Sequence, residues 1–269
     1  MFVDLLLNAI KDVDSPVYVA LTLRSEFVGM CEQFIGLPEL MNDGQFLIPR
    51  MNADEIRSSI TGPIKYSGAK VTHRLLHRLE QETQNKPDLL PVMQHALMRT
   101  FSFWKDNNTG ESMDIEHYEA TGGIKNALSN HANEVYESLN DDQKKLCASV
   151  FKVLGYKNDE GLSIRRPTRL GLIAKICNAT ADDVISTIKP FRDRDVAFLV
   201  PDSKKAISEN SIIDIAHESL IRNWDNYAAW IREESFAVDI YSRLTESALL
   251  YKESKAGLYR QPELKQALE

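Results

Sequence analysis

The sequence has no phosphate loop: nothing in its 269 residues matches GxxxxGK[ST], the motif that cradles nucleoside phosphates on backbone N–H groups and a lysine. No hydrophobic strand ends in paired acids, and there is no GxSxG, HExxH or CxxC. The paired acids of "LNDDQKK" sit at a helix start instead. An autonomous hydrolase therefore finds no support. Cysteine is scarce, and Cys31, Cys147 and Cys177 are too far apart for a disulfide framework or a metal-binding spacing. They read as reduced thiols in a cytoplasmic setting. No apolar run approaches the roughly 18 residues of a membrane span. Positive charge is also in deficit. A net charge of -7 and a pI near 5.5 argue against a chain that coats nucleic acid or anionic lipid non-specifically.

What is present is ordinary for a folded protein: 43% hydrophobic and 26% charged residues, with length for two or three modest domains. The opening "MFVDLLLNAIKDVD" lacks the basic leader of a signal peptide. Its Phe2, Leu5, Leu6, Ala9 and Ile10 fit one helical face. It reads as the tail of a helix entered midway, as in a longer protein cut at this point. Next, "SPVYVALTLRSEF" contains a strand, Val17 to Leu23, apolar on both faces. Such a strand belongs inside a parallel sheet covered by helices, yet no second run of this kind lies nearby.

Residues 49–139 read as a bundle of four or five helices. Asn52 and Glu55 have capping-box spacing, and Pro63 should end the helix they begin. Leu75, Leu76 and Leu79 share a face, Leu89 to Trp104 form a long apolar helix, and Gly122-Gly123 break two further helices. Residues 140–235 change character: three helices, then strands near Val196–Val200 and in "SIIDIAHESL", flanking the polar loop Asp202 to Ser211. That is the element order of a winged-helix domain. Residues 236–269 form a further amphipathic helical segment.

Arg24, with Thr22, stands at the carboxyl end of the expected strand, where ligands sit in open α/β sheets and an arginine can fork onto phosphate oxygens. From the residues alone a salt bridge to Glu26 or a neighbouring acid is the favoured explanation. Pro91 is structurally normal in a first helical turn, and its ring could also floor a flat apolar pocket for a base. His217 and Glu218 lie where a strand becomes a helix, suited either to an anion at the helix start or to plain capping. His73 and His77 lack a third ligand with suitable spacing, so no metal site is expected. His95, His117 and His131 read as lone structural histidines. Arg165, Arg166, Arg169 and Lys175 make a basic cluster able to touch DNA phosphates. However, 141–235 holds 15 Lys or Arg against 15 Asp or Glu, which favours a protein or nucleotide-domain contact. Trp224, Tyr227 and Trp230 share a helical face and read as core.

Taken together, "VALTLRSEFVGMC", "NADEIRSSITGPIKYSGAKV", "LLPVMQHALMRTFSFW", "HYEATGGIKNALSNHANEVYESL", "RRPTRLG" and "IAHESLIRNWDNYAAWI" resemble the STAND class of P-loop NTPases. More closely, they resemble the novel STAND NTPase type of bacterial WD40-repeat and TPR proteins. The likeness runs over nearly the whole chain. It implies a mainly α fold in four parts: a remnant of the parallel α/β nucleotide-binding core (1–48), a helical lid (49–139), a winged helix (140–235) and a linker toward sensor repeats (236–269). It further implies that Arg24 is a sensor arginine, with Thr22 beside it, that Pro91 packs on adenine, and that His217 reads the diphosphate. Leu89 stands where related receptors carry glycine, and Glu218 where they carry aspartate. ATP or ADP with Mg²⁺ would serve the intact switch, whose parent would be a nucleoside triphosphatase. This chain alone, without Walker A and B, is expected to be inactive and to need no cofactor. Its implied partners are the missing core, C-terminal repeats and further copies on activation, with no membrane. The alternatives are a winged-helix DNA-binding regulator and a helical interaction scaffold.

Overall fold

The computed structural model describes residues 2–11, 17–23, 25–83, 90–107, 110–158, 161–255, 257–261 and 263–268. The chain divides into two units, Met1–Arg50 and Met51–Glu269.

In the first unit, α1 (Phe2–Lys11) turns Leu7 inward, the one fully buried apolar side chain among the described residues here. A 3-10 segment (Ser25–Gln33) and α2 (Leu37–Gly44) follow. Gly36 enters α2 at φ 88°, 3.5 Å from a Leu7 methyl once a Cβ is added. The expected strand Val17–Leu23 is not a strand. Residues 17–23 have no regular secondary structure, and Val17, Tyr18, Leu21 and Leu23 are exposed. A strand persists only where its N–H and C=O groups find ladder partners, and the described residues of this unit supply none.

The second unit begins where Asn52 caps α3 (Ala53–Tyr66) in a capping box with Glu55. Pro63 does not end this helix. Buried Ile60 and Ile64 flank it, so continuing one more turn gains apolar burial that offsets the lost backbone bond. Then come α4 (His73–Thr83), α5 (Leu90–Asp106), α6 (Ile115–Ala120) and α7 (Gly123–Glu137). The α6–α7 corner needs glycine. Gly122 and Gly123 both have positive φ, and a Cβ on Gly123 would lie 2.9 Å from the Tyr118 ring. Tyr118 fills that space, with its hydroxyl accepting from Ile124 N–H (2.7 Å) and donating to Glu82 (2.5 Å). Leu75, Leu79, Val92, Met93, Ala96, Ile124 and Ala127 form this half's core.

Asn140 and Gln143 box the start of α8 (Asp141–Leu154). β1 (Gly155–Lys157) and β2 (Ser163–Arg165) pair antiparallel, and β3 (Thr168–Arg169) leads into α9 (Leu170–Ile176) and α10 (Ala181–Ile188). β4 (Leu199–Val200) and β5 (Ile212–Ile215) complete an antiparallel sheet of order β3–β5–β4, with Leu199 opposite Ile215. β4 is shorter than the expected Val196–Val200 because Ala197 turns left-handed at φ 49°. After α11 (Ser219–Asn223), α12 (Asp225–Lys252) runs unbroken through the expected division at 235, and α13 (Glu263–Leu268) follows. Phe151, Trp224 and Tyr227 pack edge to face at centroid distances of 5.0 to 6.0 Å in this second core. Each such ring pair adds about 1 kcal/mol beyond the area buried.

α7 belongs to both cores. Ile124 and Ala127 face the first helices, while Leu128, Ala132 and Val135 face α8 to α12. The expected division at residue 139 therefore falls after a helix that both halves share.

Candidate functional site

Pro91 is the second residue of α5, where its missing N–H costs nothing. It is half-buried, and Val92 and Met93 beside it are buried. One turn on, His95 reaches His131 of α7, Nε2 to Nδ1 at 3.3 Å. The Phe198 ring lies against both imidazoles, each at a centroid distance of 5.3 Å. Burial, with the Arg99 guanidinium nearby, holds both imidazoles neutral. His95 is lowered to about 4 and His131 to about 3.

Phe198 also joins this cluster to His217. Its carbonyl accepts the N–H of Ala216 at 2.9 Å, and His217 is the next residue. His217 sits between β5 and α11, and its Nδ1 accepts the Ser219 N–H at 3.1 Å, with the Ser219 hydroxyl 3.0 Å away. An imidazole nitrogen that accepts a backbone N–H carries no proton, so in the neutral ring the proton is on Nε2. Pro91 and His217 are thus linked only stepwise, along α5 to His95, across the ring contact to Phe198, and by its backbone bond to Ala216, the residue before His217. Thr22 is exposed in the first unit, and Arg24 and Leu89 lie outside the described residues.

A family model for "Novel STAND NTPase 1" matches residues 1–257. The chain belongs to that STAND NTPase family. No curated protein and no solved structure gives a match. STAND NTPases generally work with ATP and Mg²⁺. Among the described residues no three His, Cys, Asp or Glu side chains cluster to hold a metal ion, and the sequence has no phosphate loop. These residues do not by themselves fit a Mg²⁺–nucleotide complex. No described helix is long and apolar enough to cross a membrane.

The basic cluster is partly committed elsewhere. Arg165 bonds Asp214 (3.0 Å) and the Ile215 carbonyl (3.3 Å), with Glu218 at 4.0 Å. The Arg166 guanidinium lies 4.6 Å over the Tyr156 ring. Arg169 and Lys175 remain exposed. Two free cations give little counterion release, so no shift of random duplex DNA is expected in a gel assay at about 50 mM salt. A shift that weakens steeply with salt would restore the DNA-binding alternative.

Sequence reasoning missed three features of this region. His95 and His131 form a pair rather than standing alone, and their 36-residue separation leaves no local signal. Phe198 looked like one more strand residue. Arg192 was one charge among many, yet it is almost fully buried and donates to three backbone carbonyls, Pro201, Asp202 and Lys205, each at 2.7 Å. Only the i, i+4 spacing of Pro91, His95 and Arg99 on one helix face was available as a hint.

Proposed function

We propose that this chain supplies the lid and regulatory part of a STAND-type ATP/ADP-dependent signalling switch, and that it is not catalytically competent alone. In this reading residues 1–48 are the last part of the α/β core, 49–139 the lid, 140–235 a winged helix and 236–269 a linker. The chain order α8, β3, α9, α10, β4, β5, with the sheet order β3–β5–β4 and the Asp202–Ser211 loop between β4 and β5, supports the winged-helix assignment. Pro91 would lie against the base, His217 would meet the diphosphate, and Arg24 with Thr22 would sense the terminal phosphate. The Walker A and B elements would come from outside these residues.

The observation that carries the reading is the short path from Pro91 through His95 and Phe198 to His217. A switch needs a ligand whose contacts differ between two states. A lid residue and a winged-helix residue on one connected path give a nucleotide two handles on the same body. Isothermal titration with ADP and Mg²⁺ tests the division of labour. Without a phosphate loop, no sub-micromolar affinity and no ATP hydrolysis are expected. Sub-micromolar binding by this chain would defeat the reading.

A further inference from the structure

We infer that the cleft between α8 and α10 binds an extended peptide segment with basic side chains, read through its main-chain amides. The cleft shares no residue with Pro91, His95, Phe198 or His217, so the inference is independent of the nucleotide reading.

Three observations carry it. First, the concavity is formed, with a volume of about 590 Å³, a size suited to a ligand. The cap and body of α8 supply Asn140, Gln143 and Lys145 to one side, and the turn after α9 and α10 supply Asn178, Asp183 and Thr187 to the other. Second, one of its three lining hydroxyls is left over. Ser149 donates to the Lys145 carbonyl and Ser186 to the Asp183 carbonyl. Thr187 is fully buried, and its Oγ1 has no hydrogen-bond partner among the described residues. Burying an unpaired hydroxyl opposes folding, and valine would fill the same space without that cost. A ligand carbonyl at the cleft floor supplies the missing acceptor. Third, the lining reads amides, and the charge around it selects the side chains. Asn140 and Gln143 spend their side-chain oxygens on the α8 capping box, which leaves two NH₂ groups to donate. With Asn178 they match a main chain that alternates C=O and N–H. Asp141, Asp142, Asp182 and Asp183 begin the two helices. Lys144 is turned to Glu137, and Lys145 stands 3.8 Å from Asp142. That excess of acids repels phosphates and carboxylates and favours Lys or Arg. Cys177 also lines the cleft, but burial raises its thiol above the ordinary value, so it is a neutral contact and not a nucleophile.

The test titrates the full chain with a blocked hexapeptide alternating serine and arginine, followed by backbone and side-chain amide NMR. The same hexapeptide with glutamate for arginine, and ADP, are titrated beside it. The basic peptide should give saturating shifts at Asn140, Gln143 and Asn178. The acidic peptide should bind at least about tenfold more weakly, and ADP should leave these signals in place. Thr187→Val should weaken the basic peptide about tenfold while its Tm stays equal or rises, because no protein bond is lost. Asn178→Gly keeps the left-handed turn at φ 51° at no steric cost and should weaken the peptide similarly. No shift at millimolar basic peptide, shifts centred away from the cleft, or equal binding of the acidic peptide or ADP there would overturn the inference. So would unchanged affinity in either variant. A lower Tm or failed folding in Thr187→Val would assign the hydroxyl to the fold, and would overturn it too.

Discussion

Replacing Arg192 with methionine is expected to lower folding stability by about 3 kcal/mol, the range for losing several hydrogen bonds from a charged donor. Arg192 follows α10 and is 3% exposed. Its Nε reaches Pro201 O, and one terminal nitrogen serves both Asp202 O and Lys205 O. The Ser203 N–H returns a bond to the Arg192 carbonyl at 2.8 Å, so side chain and main chain together pin the start of the polar loop. Burial pulls the guanidinium below its ordinary pKa, with Asp202 and Asp193 opposing that fall. Methionine keeps the stem and removes the charge, so the cost comes from the carbonyls left behind, not from an orphaned ion. Lysine should not rescue, because one compact ammonium cannot fork onto three acceptors. Urea unfolding gives the magnitude. Trypsin gives the location, since cleavage after Lys204 and Lys205 should accelerate. A loss under about 1 kcal/mol with unchanged cleavage would show that the fork is dispensable.

The second large effect is acid sensitivity centred on His95 and His131. Their folded-state values, about 4 and about 3, lie below the ordinary 6.5, first because of burial and then because of Arg99. Below pH 6.5 the unfolded chain takes up protons that the folded pair refuses, so stability falls with pH through the window from about 6.5 down to about 3. At neutral pH the pair carries no such penalty. Two unscreened sites would lose about 4 kcal/mol by pH 5. Partial solvent access and their shared hydrogen bond reduce this to about 2–3 kcal/mol. Among the described residues the charged group acting on both is Arg99 of α5, which itself pairs with Glu134 of α7 at 2.6 Å. A Tm series from pH 7.5 to 5 should show the decline. His95→Leu together with His131→Leu should flatten it even if both curves start lower. An equally steep decline in the double variant would assign the acid sensitivity to other groups.

Local rules that concern a few adjacent residues were legible. Asn52 with Glu55 closes the capping box that their spacing announces. Leu75, Leu76 and Leu79 are all buried, and so are Trp224 and Tyr227. Rules that tertiary burial can override were not. Pro63 breaks a helix in isolation, but here Ile60 and Ile64 hold the helix together around it. Val17–Leu23 has the composition of a sheet strand and remains irregular, because composition does not supply a hydrogen-bonding partner. Features made by residues far apart left no signal beyond the shared helix face of Pro91, His95 and Arg99. The His95–His131 contact, the Phe198 wedge and the Arg192 fork exist only once α5, α7 and the β4 region meet. The same holds for α7, whose sequence reads as one amphipathic helix and whose two ends serve different cores.

In the proposed switch Pro91 and His217 both meet nucleotide, and the phosphate grip lies outside these residues. Methyl and amide NMR of the chain during titration with ADP and Mg²⁺ reads both halves of that claim together. Shifts are expected only at residues around Pro91 and His217, Met93 and Ala216 among them, with no saturation below millimolar nucleotide. Saturation at micromolar ADP, shifts centred elsewhere in the molecule, or no shift at millimolar ADP would contradict it.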